Sequence, residues 1–252
     1  MKTSQPRWAT TALLGWVLLA GSVTAAESAP PRILIVTGHD VPAHDWRKTT
    51  PVTRAILENQ EGWVVRVCED AGILESQVIH SYDVIVLNYR NRPTQPFSEA
   101  GRANLLRFVA AGKGLVALHF AVSAWGDWKE YHKLLGRVWI GHRKGGQSRH
   151  APRGPFQVRL ETHPINEGLE DFEADDELYA GLAGDAPIEI VAVARSPQSG
   201  ADEPMAWTLS YGKGRVYVLT LGHDVRSRQL AGFKKLLIGG CRWAAASGSP
   251  AG

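Results

Sequence analysis

Apolar residues along this chain come in short unbroken runs. RILIVTG (32–38), WVVRVCE (63–69), YDVIVLN (82–88) and GLVALH (114–119) carry almost no polar interruption. Strands of this kind are covered on both faces, whereas a half-exposed strand alternates apolar and polar positions. Between the runs the spacing becomes helical. Thr50 is placed to cap a helix with Pro51 in its first turn and Val52, Ile56 and Leu57 on its inner face. Ser98 opens another, with Leu105, Leu106, Phe108 and Val109 on one side and Gly112 at its end. DWKEYHKLLG (127–136) is a third helical stretch. Buried strands separated by helices predict an α/β fold with a doubly wound, mostly parallel sheet and helices on both faces.

The second half is less regular. FQVRLE (156–161), IEIVAVAR (188–195), AWTLSYG (206–212) and GRVYVLTLG (214–222) read as strands, some of them an antiparallel extension turning at YGKGR. A helix from about Ser227 to Ala246 closes the domain. No linker long or polar enough to divide the chain is present. SPQSGADEP (196–204) reads as an exposed loop and RKGGQSR (143–149) as a mobile one.

The N-terminus differs in kind. Lys2 and Arg7 precede an uncharged run from Trp8 to Val23, followed by small residues. This predicts a secretory signal peptide over residues 1–26, cleaved after Ala25 or Ala26, with residues 27–252 exported to the periplasm or the medium. An uncleaved membrane anchor is the alternative, but the run is short for a span. No lipobox cysteine is present, and no second stretch is apolar enough to cross a membrane. Two of the 28 basic residues lie ahead of the cut, leaving 26 against 25 acidic ones, so nothing points to nucleic acid. Cys68 and Cys241 could pair in an oxidising compartment, or serve as small buried hydrophobes.

Chemistry in an open parallel sheet gathers beyond the carboxyl ends of the strands. Here Gly38-His39-Asp40 follows the first strand, Asn88-Tyr89-Arg90 the third, His119 the fourth and Gly222-His223-Asp224 the last long one. The repeated Gly-His-Asp predicts that two distant turns face one cleft. With the acidic DDELY (175–179), His39, His119, Glu177 and His223 form a candidate set for a divalent metal such as zinc. The same histidines could instead act as general acid and base, oriented by Asp40 or Asp224. A lone histidine at a strand end also often just caps carbonyls. Trp46, Asn88, Tyr89, Arg90, Trp125 and His163 are candidate substrate contacts. Tryptophans stack on sugar rings, although those of a helix such as the one holding Trp128 are more often core. His44 lies beside His39, and His142 and His150 read as exposed. No G-x-G-x-x-G, P-loop or G-x-S-x-G is present, so no nucleotide cofactor and no serine nucleophile is expected.

The ordered blocks TGHD, HDWRKTTP, AAGKGLVALHFA, THPINEGL, DELY, PMAWTLSYGKGRVYVLTLGHD and GCRWAAASG resemble the ThuA-like domain, named for trehalose utilisation, over residues 32–247. The resemblance implies one flavodoxin-type domain of the class I glutamine-amidotransferase-like superfamily. It also implies a role in carbohydrate metabolism, beside sugar-oxidising dehydrogenases that make 3-keto sugars. Amidotransferases of that fold keep a cysteine where this chain has His119, so amide hydrolysis is not expected. Isomerisation, hydration or cleavage of a keto-glycoside by histidine chemistry is the expectation, and a non-catalytic carbohydrate-binding or accessory domain is the alternative.

Overall fold

The computed structural model describes Met1, residues 30–91 and residues 97–246. The signal peptide reading therefore lies outside the described residues, as does the chain beyond Ala246.

The chain begins with strand β1 (Arg32–Val36), helix α1 (Trp46–Glu58), strand β2 (Val64–Cys68) and strand β3 (Val84–Leu87). Helix α2 (Glu99–Ala110), strand β4 (Gly114–Leu118) and helix α3 (Lys129–Leu135) follow. Strands β5 (Arg149–His150), β6 (Gly154–Leu160), β7 (Phe172–Asp176), β8 (Tyr179–Ala180) and β9 (Glu189–Arg195) come next. The chain ends with β10 (Asp202–Tyr211), β11 (Gly214–Leu219), α4 (Val225–Gln229) and α5 (Ala231–Ala245).

Nine strands form one sheet in the order β2-β1-β3-β4-β11-β10-β9-β6-β7. The first five are parallel, and β10, β9, β6 and β7 continue the sheet antiparallel. The fold class is thus the doubly wound α/β architecture with an antiparallel extension. Alternation within each buried strand divides the core. Ile33 and Ile35 of β1 pack with Leu57 of α1 and Phe233 and Leu236 of α5. Leu34 and Val36 pack on the opposite face with Leu105 and Phe108 of α2 and Leu134 of α3. Both faces are covered, which is why these strands carry no polar alternation.

Ser98 caps α2 as expected, accepting from the Gly101 N–H at 3.0 Å. Helix α1 instead opens at Trp46, well before Thr50. Its threonines return hydroxyls to its own backbone, Thr49 to the Asp45 carbonyl and Thr53 to that of Thr49. Pro51 lies inside it on an exposed face. The closing helix is two helices, because Leu230 leaves the helical backbone at φ −59°, ψ 136°. The 143–149 segment is ordered: His142–Lys144 make a 3₁₀ turn, and Ser148 donates to the Gly181 carbonyl at 3.0 Å. Arg149 and His150 then pair with β8. Cys68 and Cys241 are both free thiols. Among the described residues no helix is long and apolar enough to cross a membrane.

Candidate metal centre

Both Gly-His-Asp turns are left-handed at glycine, with φ 110° at Gly38 and 102° at Gly222. A side chain at Gly38 would sit 1.6 Å from the Glu69 carbonyl oxygen, so the sharp exits from β1 and β11 require glycine. Beyond Gly38 the chain turns back on itself, and the His44 N–H donates to the Val41 carbonyl at 2.8 Å. That turn carries His44, rather than His39, into the protein.

His44, His119, Glu177 and His223 converge so that one donor atom from each lies within 4.8 Å of the others. His39 is not part of this group; its ring stands 6.4 Å from that of Tyr89, beside a separate cavity with Glu69 and Asp70. The metal set read from the sequence is corrected by this one exchange. His119 is fully buried and holds φ 45°, a strained conformation for a residue with a Cβ. Its Nδ1 donates to the Thr220 carbonyl at 2.6 Å, which forces the neutral ring to present its Nε2 lone pair to the cluster. The Tyr179 hydroxyl, buried and held protonated well above its usual range by desolvation, donates to that Nε2 at 2.9 Å.

Glu177 Oε2 lies 3.4 Å from His119 Nε2 and 3.2 Å from His223 Nδ1. These two spacings are close to those of donors that share one zinc ion, and the wider separations, up to 4.8 Å, would close as the ion is bound. Burial disfavours the Glu177 carboxylate, but when the imidazoles of His119 and His223 present a proton to it their contacts outweigh burial and keep it ionised. The same contact with Glu177 raises the pKa of His223. His44 is pushed down to about 2, first by burial and then by His119 and His223, so its ring stays neutral. Its Nδ1 is buried without a hydrogen-bond partner, and that of His223 meets Glu177 as an ion pair without hydrogen-bond alignment. A buried nitrogen left unsatisfied beside two other imidazoles and a carboxylate suits a metal ligand. The donor set fits a divalent first-row metal.

A polar frame holds the cluster. Asp176 accepts from the N–H groups of Gly222 at 2.6 Å, His223 at 3.1 Å and Glu177 at 2.8 Å, so one carboxylate fixes two ligand-bearing segments. Arg228 is fully buried and donates to the Gly222 carbonyl, Thr53 Oγ1 and Asn88 Oδ1 at 2.9, 2.6 and 2.8 Å. Asn88 also donates to Thr50 Oγ1 at 2.8 Å. Its side chain is fully buried within this frame.

The other expected contacts divide. Asp224 caps α4 through the Ser227 N–H and pairs with Arg153, and its charge adds to the rise in the His223 pKa. Trp46 starts α1 with its indole N–H on Asp40, and Arg47 lies over its ring at 4.4 Å. Tyr89 and Trp125 flank the cavity beside His39, while Arg90 and Trp125 line a second one with Trp128 and Trp139. His150 is exposed, as expected, with its Nδ1 3.6 Å from Glu177 Oε1. Tyr179 was present in DELY without a role.

His163 lies elsewhere, capping the Pro164–Asn166 turn by accepting the Ile165 N–H at Nδ1, 3.1 Å away. Burial lowers its pKa, opposed by Glu189, so the folded state favours the neutral ring. A depressed histidine adds stability that is complete above the unfolded value of about 6.5 and drains away as pH falls below it. His163→Asn, which keeps a capping oxygen, is expected to lose less stability between pH 7.5 and 5.5 than wild type. His163→Ala costs about 1 kcal/mol at pH 7.5. Thermal melts at the two pH values check both.

The family described as ThuA, trehalose utilisation, matches residues 32–244. No curated protein matches the chain. Among solved structures, a ThuA-like protein from Parabacteroides merdae superposes with a TM-score of 0.76 at 25% identity, covering 86% of this chain and 90% of its own. A second, from Bacteroides uniformis, gives 0.69 at 21%, covering 87% and 94%. The fold also recurs within a β-galactosidase from Rahnella sp. R3, with a TM-score of 0.58 at 15% identity over 83% of this chain and 31% of that one. With the family match running from β1 into α5, the chain belongs to the ThuA family.

Proposed function

We propose that this protein is an exported, metal-dependent enzyme of carbohydrate utilisation that transforms a keto-glycoside. The observation that carries the reading is the convergence of His44, His119, Glu177 and His223 at one sheet rim, with the His44 Nδ1 buried and unpartnered. The family's description as trehalose utilisation supports a saccharide as substrate. A sugar-oxidising dehydrogenase would supply the ketone.

His44, His119, Glu177 and His223 would hold the ion. Once bound, a divalent metal supplies a Lewis acid that stabilises negative charge on a substrate oxygen. The chain's own residues do the rest. Thr220 fixes the His119 tautomer, and Phe120, stacked on His44 at 4.6 Å, shields the cluster from water. A ketone at C3 acidifies the neighbouring C–H bonds, and His150, beside Glu177 with its Nδ1 donating to the Ala151 carbonyl at 2.9 Å, would take such a proton at Nε2. The Tyr179 phenol keeps its own proton directed at the cluster. The paired carboxylates of a conventional glycosidase are not required for this route.

The test is a proton NMR time course in D₂O with 3-keto-trehalose and related keto-glycosides, both neutral and bearing a carboxylate or phosphate. Exchange of the C2 or C4 proton, or new sugar resonances, is the expected result. His150→Ala should slow it by about 100-fold while metal is retained. Saturation transfer to an unchanged sugar would instead indicate a carbohydrate-binding domain and overturn the enzymatic reading.

A further inference from the structure

Next to the histidine cluster lies a cavity of about 450 Å³. Trp139 joins the two: its ring is 4.9 Å from that of Tyr179, whose hydroxyl meets His119. The walls are aromatic. Trp125 is stacked on Phe97 at 4.5 Å and meets Trp128 edge-on at 6.0 Å. Trp125 also holds φ 45°, a strained backbone fixed by the Asn91 side chain, which accepts its N–H at 2.7 Å. Such faces suit the apolar side of a sugar ring.

Charge makes the cavity unusual. Arg90, Arg102, Arg143 and Lys144 line it, and Asp127, its carboxylate among the described residues, is already paired with Lys144 at 2.8 Å. None of the three arginines forms an ion pair with a described carboxylate. Arg102 is the most informative of them. Its guanidinium lies 5.6 Å over the Trp128 ring, and its Nε is buried without a hydrogen-bond partner. A guanidinium laid on an aromatic wall, with no ion pair to a described carboxylate, suits a carboxylate or phosphate.

We infer that this cavity receives the anionic part of the substrate: the saccharide carries a carboxylate or a phosphate, its ring lying on the tryptophans and its charge at Arg90, Arg102 and Arg143. The inference rests on the saccharide reading above and narrows it to acidic or phosphorylated sugars. It does not depend on the metal.

The experiment is a titration of the intact protein, followed by tryptophan fluorescence and calorimetry, with methyl β-D-glucuronide, glucose 6-phosphate and neutral methyl β-D-glucoside. At least one anionic probe is expected to bind about tenfold or more tightly than the neutral one, with the gap shrinking as salt is raised. Tighter glucuronide binding assigns the carboxylate, and tighter phosphate binding the phosphoryl group. Arg143→Gln, an exposed change that leaves the fold alone, should narrow the gap, and Arg102→Gln/Arg143→Gln should close it. Equal affinity for all three probes, no binding of either anion, or a preference that survives the double variant would overturn the inference. Zinc content measured on the same samples separates the two readings. An anion preference in protein that holds no metal and takes up none from micromolar zinc would remove the metal reading and leave this one standing.

Discussion

Glu177→Gln is expected to lower zinc affinity by more than about 100-fold, since loss of an outer-shell partner alone costs 10–100-fold, and to abolish turnover. Its melting temperature should stay close to wild type. The neighbouring carboxylate should behave in the opposite way. The Glu177 side chain touches the histidines of the cluster and supports no turn, whereas Asp176 accepts three backbone N–H groups from two segments. An amide in place of Glu177 keeps the shape and removes the negative charge that would balance the cation. An amide in place of Asp176 has one acceptor where two are used, and its NH₂ would face an N–H. Asp176→Asn should therefore cost about 2–3 kcal/mol of stability. Metal content and thermal unfolding, measured on both variants, resolve the pair. If Glu177→Gln retained zinc at wild-type affinity, Glu177 would not be a ligand.

Arg228→Ala should be among the most damaging single changes in the protein, at about 3–5 kcal/mol. The guanidinium is fully buried, and burial pushes its pKa down to about 10, so it remains charged at neutral pH. It joins the β11 turn that carries His223, the β3 end at Asn88, and α1 at Thr53. Truncation leaves three acceptors unsatisfied in a cavity of arginine size. Arg228→Met fills much of that volume and is expected to recover part of the loss, but not the hydrogen bonds. Because the same group holds the His223 turn, the variant should also bind metal more weakly. Denaturant melts and metal titration check the two effects, and a loss below 1 kcal/mol would show that the frame is not needed.

The strands that position the site were legible because burial on both faces leaves a mark in the sequence: β1, β3, β4 and β11 are continuous apolar runs. His119 and His223 were legible for the same reason, each lying directly beyond such a run. Glu177 was visible as part of an acidic cluster. His44 was passed over in favour of His39 because the nearer histidine follows the glycine. The turn from Val41 to His44, which reverses the chain, has no strong signature beyond Pro42. Strands β5 and β8 are two residues long and too short for any periodicity. Asp176 and Arg228 look like surface charges in a sequence. Their burial is set by partners 46 and 140 residues away, Gly222 and Asn88, which no local pattern reports.

The most direct test of the central claim is the metal content of the purified protein by inductively coupled plasma mass spectrometry. The account predicts about one divalent ion per chain, removable by chelator, restored by zinc and lost in His44→Ala and Glu177→Gln alike. Protein that carries no metal as purified, and takes up none from micromolar zinc, would contradict it.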